Sequence, residues 1–318
     1  MAKFSEFQKH FSFDKYTGFG SAANNQGDRL LSKDGNFNVK REGQSFFERL
    51  SPYHQLIRMS WGNFLLLIIA FYILVNLLFS MSYYLIGLNQ LAGILSKDPV
   101  SEFIEVNAFS AQTLTTVGYG RINPIGLGSD ILTSFESLFG LLSFAFITGL
   151  LYGRFSRPFA RLLYSENAII APFQNKTALM FRIANGRKNQ LIECETTLLF
   201  NYLDKESNMR RFINLTLEYN KVNALSLSWT VVHPINEDSP LNGLSKIDLE
   251  EMKAEIIVLF KAFDDTYSQV VHTRHSYTAP ELVWGAKFNP MFNRSNDGKA
   301  TVLNLKKIGE FSMAELPN

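Results

Sequence analysis

The chain has 318 residues and a formal net charge of +2 at pH 7. This length allows two domains, and a charge so close to zero argues against bulk binding of nucleic acid. A single cysteine, Cys194, excludes an intrachain disulfide. Two long runs, from Met59 to Ser96 and from Ser137 to Gly153, contain no charged residue, which indicates a membrane protein. The amino-terminal sequence MAKFSEFQKHFSFDK has no apolar core, so we expect no cleavable signal peptide.

The segment at 45–61, SFFERLSPYHQLIRMSW, predicts an amphipathic helix that lies at the membrane interface. Ser51–Pro52 is a favourable helix start. The apolar residues recur at helical spacing and are Phe46, Leu50, Tyr53 and Ile57. The alternative interpretation is a cytoplasmic extension of the first membrane span.

Two membrane spans are predicted, at about residues 61–87 and 128–155, because a spanning helix needs about 20 apolar residues. Basic residues near the ends of the spans set the orientation. They are Lys40, Arg41, Arg49 and Arg58 before the first span and Arg154, Arg157 and Arg161 after the second. The loop between the spans is mostly acidic, so we expect both termini to be cytoplasmic.

Residues 102–113 predict a helix that is too short to cross the membrane. Ser101 is a candidate N-cap, and Glu102 and Glu105 favour the positive end of the helix. Its carboxyl end runs directly into the hexapeptide TTVGYG at 115–120.

The hexapeptide predicts a potassium selectivity filter. Backbone inside a membrane must be hydrogen-bonded or must line a wet cavity. Gly118 and Gly120 permit backbone angles that turn the carbonyls from Thr116 to Tyr119 to one side, where they replace the hydration shell of K⁺. One loop supplies one wall, so closure requires four subunits around an axis. The predicted filter residues are Thr115, Thr116, Val117, Gly118, Tyr119 and Gly120, with K⁺ as permeant ion at Thr116, Val117, Gly118 and Tyr119, and no cofactor.

Period-two runs after the second span predict a β-sandwich of immunoglobulin-like type over residues 159–318. The runs are LIECETTLLF (191–200), INLTLEY (213–219), LSLSWTV (225–231) and TVLNL (301–305). Turn sequences separate them, so short antiparallel strands with one wet face are expected.

Several motifs together resemble inward-rectifier potassium (Kir) channels. The hexapeptide resembles the T-V-G-Y-G signature of potassium channels. The cytoplasmic motifs are ALMFRIANGRKNQLIE (178–193), WTVVHPINEDSPL (229–241) and SQVVHTRHSYTAPELVWGAKF (268–288). RLLSKDGNFNVKREG (29–43) is similar to the family's amino-terminal strand, and 45–61 to its slide helix. The bacterial branch fits best, because the outer-loop cysteines of animal members are missing.

The resemblance implies roles for residues outside the hexapeptide. Phe144, Thr148 and Tyr152 match pore-facing positions that could close the inner mouth, although helix packing alone would also explain their spacing. Ser268 and Gln269 match the loop that rings the cytoplasmic pore. The family's acidic pore-helix residue and its basic partner are replaced by Gln112 and Ile122. The bracing of this filter therefore differs from the family pattern.

Three further predictions concern charged side chains. Arg154, Arg157 and Arg161 follow the second span at spacings of three and four, so they are expected to share a helical face and predict a site for anionic lipid headgroups; the alternative is a topology signal only. Glu136, an acid within a span, predicts a brace behind the filter or else a solvated charge at the outer interface. His272 and His275 lie three apart on a predicted strand, so they point to opposite sides and do not form a metal site.

The combined prediction is a homotetrameric inward-rectifier-like potassium channel of a bacterial inner membrane, gated by the inner ends of the second spans and by the cytoplasmic domain. Block by polyamine or Mg²⁺ is expected to be weak, because Phe144 stands where strong rectifiers carry an acid. No catalytic triad or nucleotide fingerprint is found, so an enzyme is not expected. Two alternatives stay open: a potassium channel of another family, and a non-conducting receptor on a channel scaffold.

Overall fold

The computed structural model describes residues 29–33, 35–38, 42–43, 52–156, 161–205, 207–295 and 297–317. The chain divides into two units. The membrane unit comprises Gly43–Arg157, and the sandwich unit comprises Met1–Glu42 together with Pro158–Asn318. Phe46 and Leu50 of the predicted interfacial helix, and Arg157 of the basic cluster, lie outside the described residues.

The described part of the membrane unit contains four α-helices: α1 (Pro52–Arg58), α2 (Trp61–Ile86), α3 (Pro99–Leu114) and α4 (Leu127–Phe155). By length and composition, α2 and α4 are able to cross a membrane. Helix α2 ends at Gly87, whose φ of 112° is open only to glycine at low cost. The segments before and after α3 pair as a two-stranded antiparallel sheet of β1 (Leu91–Ala92) and β2 (Asn123–Pro124).

Helix α3 begins earlier than its sequence pattern suggested. Its N-cap is Asp98, whose side chain accepts a hydrogen bond from the Ser101 amide at 2.9 Å, and Pro99 occupies the first helical position. The expected capping role of Ser101 is therefore wrong. Asp98 is the better cap because Pro99 has a preset φ and lacks the amide hydrogen that this position cannot use.

In its described residues, the sandwich unit is built around two five-stranded sheets that pack face to face, with two smaller two-stranded sheets beside them. In the first, the order is β11 (Gln269–Thr278), β10 (Glu255–Asp264), β6 (Leu191–Asp204), β7 (Met209–Leu215), and β8 (Lys221–Ala224) also pairs with β6. In the second, the order is β12 (Leu282–Trp284), β4 (Ala168–Phe173), β5 (Lys176–Asn185), β3 (Leu162–Tyr164), and β9 (Ser228–Ile235) also pairs with β5. The smaller elements are α5 (Lys246–Glu251), β13 (Ala286–Phe288), β14 (Phe292–Arg294), β15 (Thr301–Leu303) and β16 (Phe311–Met313).

The structure modifies the predicted strands at three places. The alternating run at 213–219 belongs to β7 only as far as Leu215, and β9 begins at Ser228 rather than at residue 225. The pairing of β12 with β4 is parallel, whereas antiparallel strands were expected. Alternation in sequence reports which face of a segment is buried, but hydrogen-bond partners decide where a strand stops and in which direction its neighbour runs.

The amino-terminal segment at 29–38 packs on the outer face of the first sheet. Leu30 and Leu31 are buried against Leu199, Phe212 and Ile257. The carboxylate of Glu255 accepts hydrogen bonds from the amides of Leu30 and Leu31 at 2.8 and 3.0 Å. The described part of the predicted strand at 29–43 forms only an isolated bridge between Leu31 and Phe37.

Candidate functional site

The loop at 115–120 is anchored to the last turn of α3. The amide of Thr116 donates to the carbonyl of Thr113 at 3.0 Å, and the amides of Val117 and Gly118 both donate to the carbonyl of Gln112, at 2.8 and 3.2 Å. The Thr115 hydroxyl donates to the carbonyl of Ala111 at 2.7 Å. These bonds fold the loop back against the helix that precedes it.

The backbone of the loop alternates in the sign of φ. Thr116, Gly118 and Gly120 have φ values of 62°, 54° and 82°, and Val117 and Tyr119 between them are not among the residues with positive φ. In an extended strand, successive carbonyls point to opposite sides. An alternation of left- and right-handed residues instead turns successive carbonyls toward one side, which is the arrangement that coordinates a dehydrated cation.

This arrangement strains the backbone at Thr116, which has a positive φ although it is not a glycine. A left-handed conformation is unfavourable by about 1–2 kcal/mol for a residue with a Cβ atom, and β-branching adds to the strain. Such strain persists only where the surrounding hydrogen bonds over-determine it, and it is concentrated at functional sites. Gly118 and Gly120 adopt the same hand without this penalty.

Glu136 on α4 connects three helices through its side chain. Its side chain is fully buried. Oε1 accepts a hydrogen bond from the Ser110 hydroxyl of α3 at 2.5 Å, and Oε2 accepts one from the Tyr83 hydroxyl of α2 at 2.7 Å. The Tyr83 oxygen also lies 3.0 Å from Oγ1 of Thr133 on α4. Of the two positions expected for Glu136, the buried one is observed and the solvated outer position is wrong.

A second set of polar contacts continues this network toward the start of α2. The Ser110 hydroxyl lies 3.3 Å from Oδ1 of Asn76, the Ser80 hydroxyl donates to the Asn76 carbonyl at 2.7 Å, and Asn107 donates to Ser80 at 3.0 Å. These residues were not predicted as functional from the sequence. The available signal was the four-residue spacing of Asn76 and Ser80 within an apolar helix, where buried polar groups must be partnered.

Gly140 sets the distance between α4 and the end of α3. A Cβ atom at Gly140 would lie 2.0 Å from the carbonyl oxygen of Leu114, so no side chain fits there. Phe144 follows Gly140 by about one turn toward the end of α4, on nearly the same helix face. Phe144, Thr148 and Tyr152 are all exposed in the single chain, so none of them is used for packing within it.

Arg154 fixes the end of α1. Its Nη2 donates to the carbonyl of Met59 at 2.7 Å, and its Nη1 donates to the carbonyl of Leu56. The guanidinium lies 4.7 and 4.3 Å from the ring centres of Trp61 and Phe64. The side chain thus satisfies carbonyls that a helix C-terminus leaves without partners.

The predicted helical face shared by three arginines is wrong for Arg161. Helix α4 ends at Phe155 with Ser156 as C-cap, and Arg161 directly precedes β3. Arg161 is exposed. Since residue 161 is not helical, helical spacing does not place Arg161 on a face shared with Arg154.

Ser268 and Gln269 lie at the tip of the β10–β11 hairpin and are exposed. Ser268 has a φ of 50°, and the turn is closed by Asp264, whose Oδ1 accepts from the amide of Thr266 at 3.0 Å. Farther along β11, His272 is exposed, whereas His275 is buried and stacks on Tyr164 with ring centres 4.5 Å apart. The two histidines therefore do not converge on one site.

Comparison with known proteins identifies the family. Residues 162–318 match the inward rectifier potassium channel C-terminal domain, and residues 67–157 match a family described as ion channel. The inward rectifier potassium channel Kirbac3.1 of Paramagnetospirillum magnetotacticum is 36% identical over 89% of this chain and 96% of its own length. The ATP-sensitive inward rectifier potassium channel 15 of Homo sapiens is 29% identical over 85% of this chain and 79% of its own. The ATP-sensitive inward rectifier potassium channel 12 of Gallus gallus is 29% identical over 66% and 52%.

Two apolar helices, a short helix between them and a carboxyl-terminal β-sandwich define a membrane channel protein. The chain belongs to the inward rectifier potassium channel family. It is therefore an ion channel and not an enzyme, as the sequence indicated. The same matches exclude the alternative of a potassium channel from another family, because the carboxyl-terminal half is an inward-rectifier domain.

Proposed function

We propose that the chain forms a homotetrameric, potassium-selective channel of a bacterial inner membrane, with both termini in the cytoplasm. K⁺ passes down its gradient through a filter made by the carbonyls of Thr116, Val117, Gly118 and Tyr119. The observation that carries this proposal is the alternating sign of φ from Thr116 to Gly120 in the loop that follows α3. One such loop offers one wall of oxygens, so four copies are needed to enclose the ion.

The inner half of α4 acts as the gate in this proposal. Exposed Phe144 and Tyr152 are available to meet their counterparts around the axis, where aromatic rings close a pore by excluding water. The exposed hairpin tip with Ser268 and Gln269 forms the cytoplasmic continuation of the pore.

In this proposal, anionic lipid modulates the gate by binding basic residues that follow the second span. Arg154, Arg157 and Arg161 follow the second span, where each basic residue near an acidic membrane surface contributes about 1 kcal/mol. The hydrogen bonds of Arg154 to the end of α1 give that residue a positioning role, so direct headgroup contact falls mainly to Arg157 and Arg161. Polyamine and Mg²⁺ block is weak in this proposal, since Phe144 supplies no negative charge to the cavity.

The filter assignment is tested by Gly118→Ala. The backbone at this position has a φ of 54°, so alanine would have to adopt the left-handed conformation, which costs about 1–2 kcal/mol per subunit. Selective K⁺ flux into vesicles should therefore be lost. Gly298→Ala is the matched control, because Gly298 has a similar φ of 67° and open space around it on an exposed hairpin. It should conduct K⁺ and exclude Na⁺ as the wild type does. Normal selectivity in Gly118→Ala would refute the assignment, and a wild type without K⁺ flux would favour the non-conducting receptor.

A further inference from the structure

Glu105 collects contacts from two other parts of the chain. It lies on α3, and its side chain is 16% exposed. Oε2 accepts a hydrogen bond from the amide of Leu95 at 3.0 Å, and Oε1 accepts one from the Ser96 hydroxyl at 2.9 Å. Oε2 also lies 3.5 Å from Nη1 of Arg121, which directly follows Gly120.

Leu95 and Ser96 belong to the segment between α2 and α3, residues 88–98, which we call the outer loop. The same loop also contacts the backbone after Gly120. Strand β1 pairs Ala92 with Asn123, and the amide of Ile125 donates to the carbonyl of Gln90 at 2.9 Å. A Cβ atom at Gly93 would lie 1.9 Å from the carbonyl oxygen of Arg121. The outer loop therefore packs against the exit of the 115–120 loop with no space for a side chain.

The family resemblance predicts a stabilising ion pair at positions 112 and 122, but neither position has a charged residue. Gln112 is neutral, and Ile122 is buried in an apolar cluster with Tyr83, Val106 and Phe109. The loop at 115–120 is strained at Thr116, so it needs support at both ends. The hydrogen bonds to Gln112 support its entrance, and Glu105 and Arg121 are the charged groups next to its exit.

We propose that Glu105 and Arg121 form an outer brace that holds the exit of the filter in its conducting conformation. The brace is the Glu105 carboxylate together with its three contacts at Leu95, Ser96 and Arg121. Both charged residues are positioning residues, since the proposal assigns ion contact to backbone carbonyls of 116–119. This inference rests on the proposed function, because it presupposes that the 115–120 loop is the filter.

The expected effect is moderate. Arg121 is 50% exposed, and ion pairs with a solvated partner contribute little on their own. Glu105 is better shielded and accepts two further hydrogen bonds, so removing its charge also weakens the attachment of the outer loop. We therefore expect faster loss of conduction rather than loss of the channel.

The experiment measures how quickly K⁺ current declines after external K⁺ is replaced by Na⁺, with purified full-length channels in planar bilayers. Glu105→Gln and Arg121→Gln should each accelerate the decline about threefold to tenfold and raise Na⁺ permeation. The double variant should decline no faster than the faster single variant, because both substitutions break the same pair. Arg121→Lys keeps the charge and should stay near the wild-type rate.

Glu102→Gln is the matched control, since Glu102 lies one turn nearer the start of the same helix and carries the same charge. It should leave the rate unchanged. Single variants that behave like Glu102→Gln, or effects that multiply in the double variant, would overturn the brace while leaving the filter intact. A wild type without selective K⁺ flux would instead refute the proposed function. If Glu105→Gln fails to assemble, Arg121→Gln and Arg121→Lys decide the question, because a half-exposed side chain tolerates substitution.

Discussion

At the scale of single residues, the carboxylate of Glu136 depends on hydroxyl donors from two other helices. Tyr83→Phe removes one donor without changing the ring, so one oxygen of a fully buried carboxyl group loses its partner. We expect the free energy of unfolding to fall by about 1–3 kcal/mol per subunit, the cost of leaving a buried acceptor without its hydrogen bond. Denaturant titration of the purified channel in detergent measures this change.

Tyr84→Phe serves as the control for that variant. Tyr84 is the next residue on α2, it is only partly buried, and its ring packs against Phe103 at 6.2 Å. Its replacement should alter the unfolding free energy by less than about 0.5 kcal/mol. Equal effects of the two variants would mean that the Glu136 network adds nothing beyond general packing of tyrosine rings.

At the scale of elements, Arg154 joins the end of α4 to the end of α1. Arg154→Lys keeps the positive charge but cannot reach two carbonyls with one planar group, so α1 should fray. Loss of charge-assisted bonds worth roughly 1.5–3 kcal/mol should accelerate amide hydrogen exchange in α1 by about tenfold or more. Arg58→Lys, an exposed change in the last turn of the same helix, should leave the exchange rates unchanged.

Arg154→Lys also distinguishes a positioning role of Arg154 from a role in lipid binding. If Arg154 acts by holding α1, Arg154→Lys changes exchange in α1, and the flux response to anionic lipid is kept through Arg157 and Arg161. If lipid contact is the main role of Arg154, the lysine variant should retain both properties, since ammonium and guanidinium groups each attract phosphate. Unchanged exchange in α1 would contradict the positioning role.

At the scale of the whole molecule, His275 should make stability depend on pH. His275 lies on β11, and its buried ring stacks on Tyr164. Its Nδ1 lies 3.0 Å from the carbonyl of Lys33 in the amino-terminal segment. The pKa of His275 is lowered from 6.5 to about 4, mainly by burial and also by the nearby charges of Arg29 and Lys33, whereas the hydrogen bond to the Lys33 carbonyl and the charge of Glu281 oppose this shift. Between these pKa values the unfolded chain binds more protons than the folded chain, so stability falls as pH decreases from about 6.5 to 4.

His275→Asn removes this titration. The wild type should lose up to about 3 kcal/mol more than the variant when the pH is lowered from 7 to 4, which denaturant titrations at several pH values would measure. Carboxylates contribute to both curves, so the difference between them isolates the histidine. His272→Asn, an exposed change on the same strand, should follow the wild type. Parallel curves for wild type and His275→Asn would contradict the prediction.

The sequence by itself determined the elements that depend on local pattern. The lengths of the uncharged runs predicted the spans now seen as α2 and α4, because crossing a membrane is a matter of length and polarity. Period-two alternation predicted the sandwich, since one face of each strand is buried. The filter assignment also came from the sequence, through glycines placed where the backbone needs positive φ, and it stays a prediction.

The tertiary structure alone decided which distant side chains meet. Glu136 is 53 residues from Tyr83 and 26 from Ser110, and Arg154 is 95 from Met59, so local spacing could not pair them. From the sequence, Glu105 was identified only as a charge that favours the start of a helix, and Arg121 was not singled out. Their pairing depends on how the segments before and after α3 fold against each other and against this helix, and folding of this kind is set by packing between elements rather than by periodicity within one.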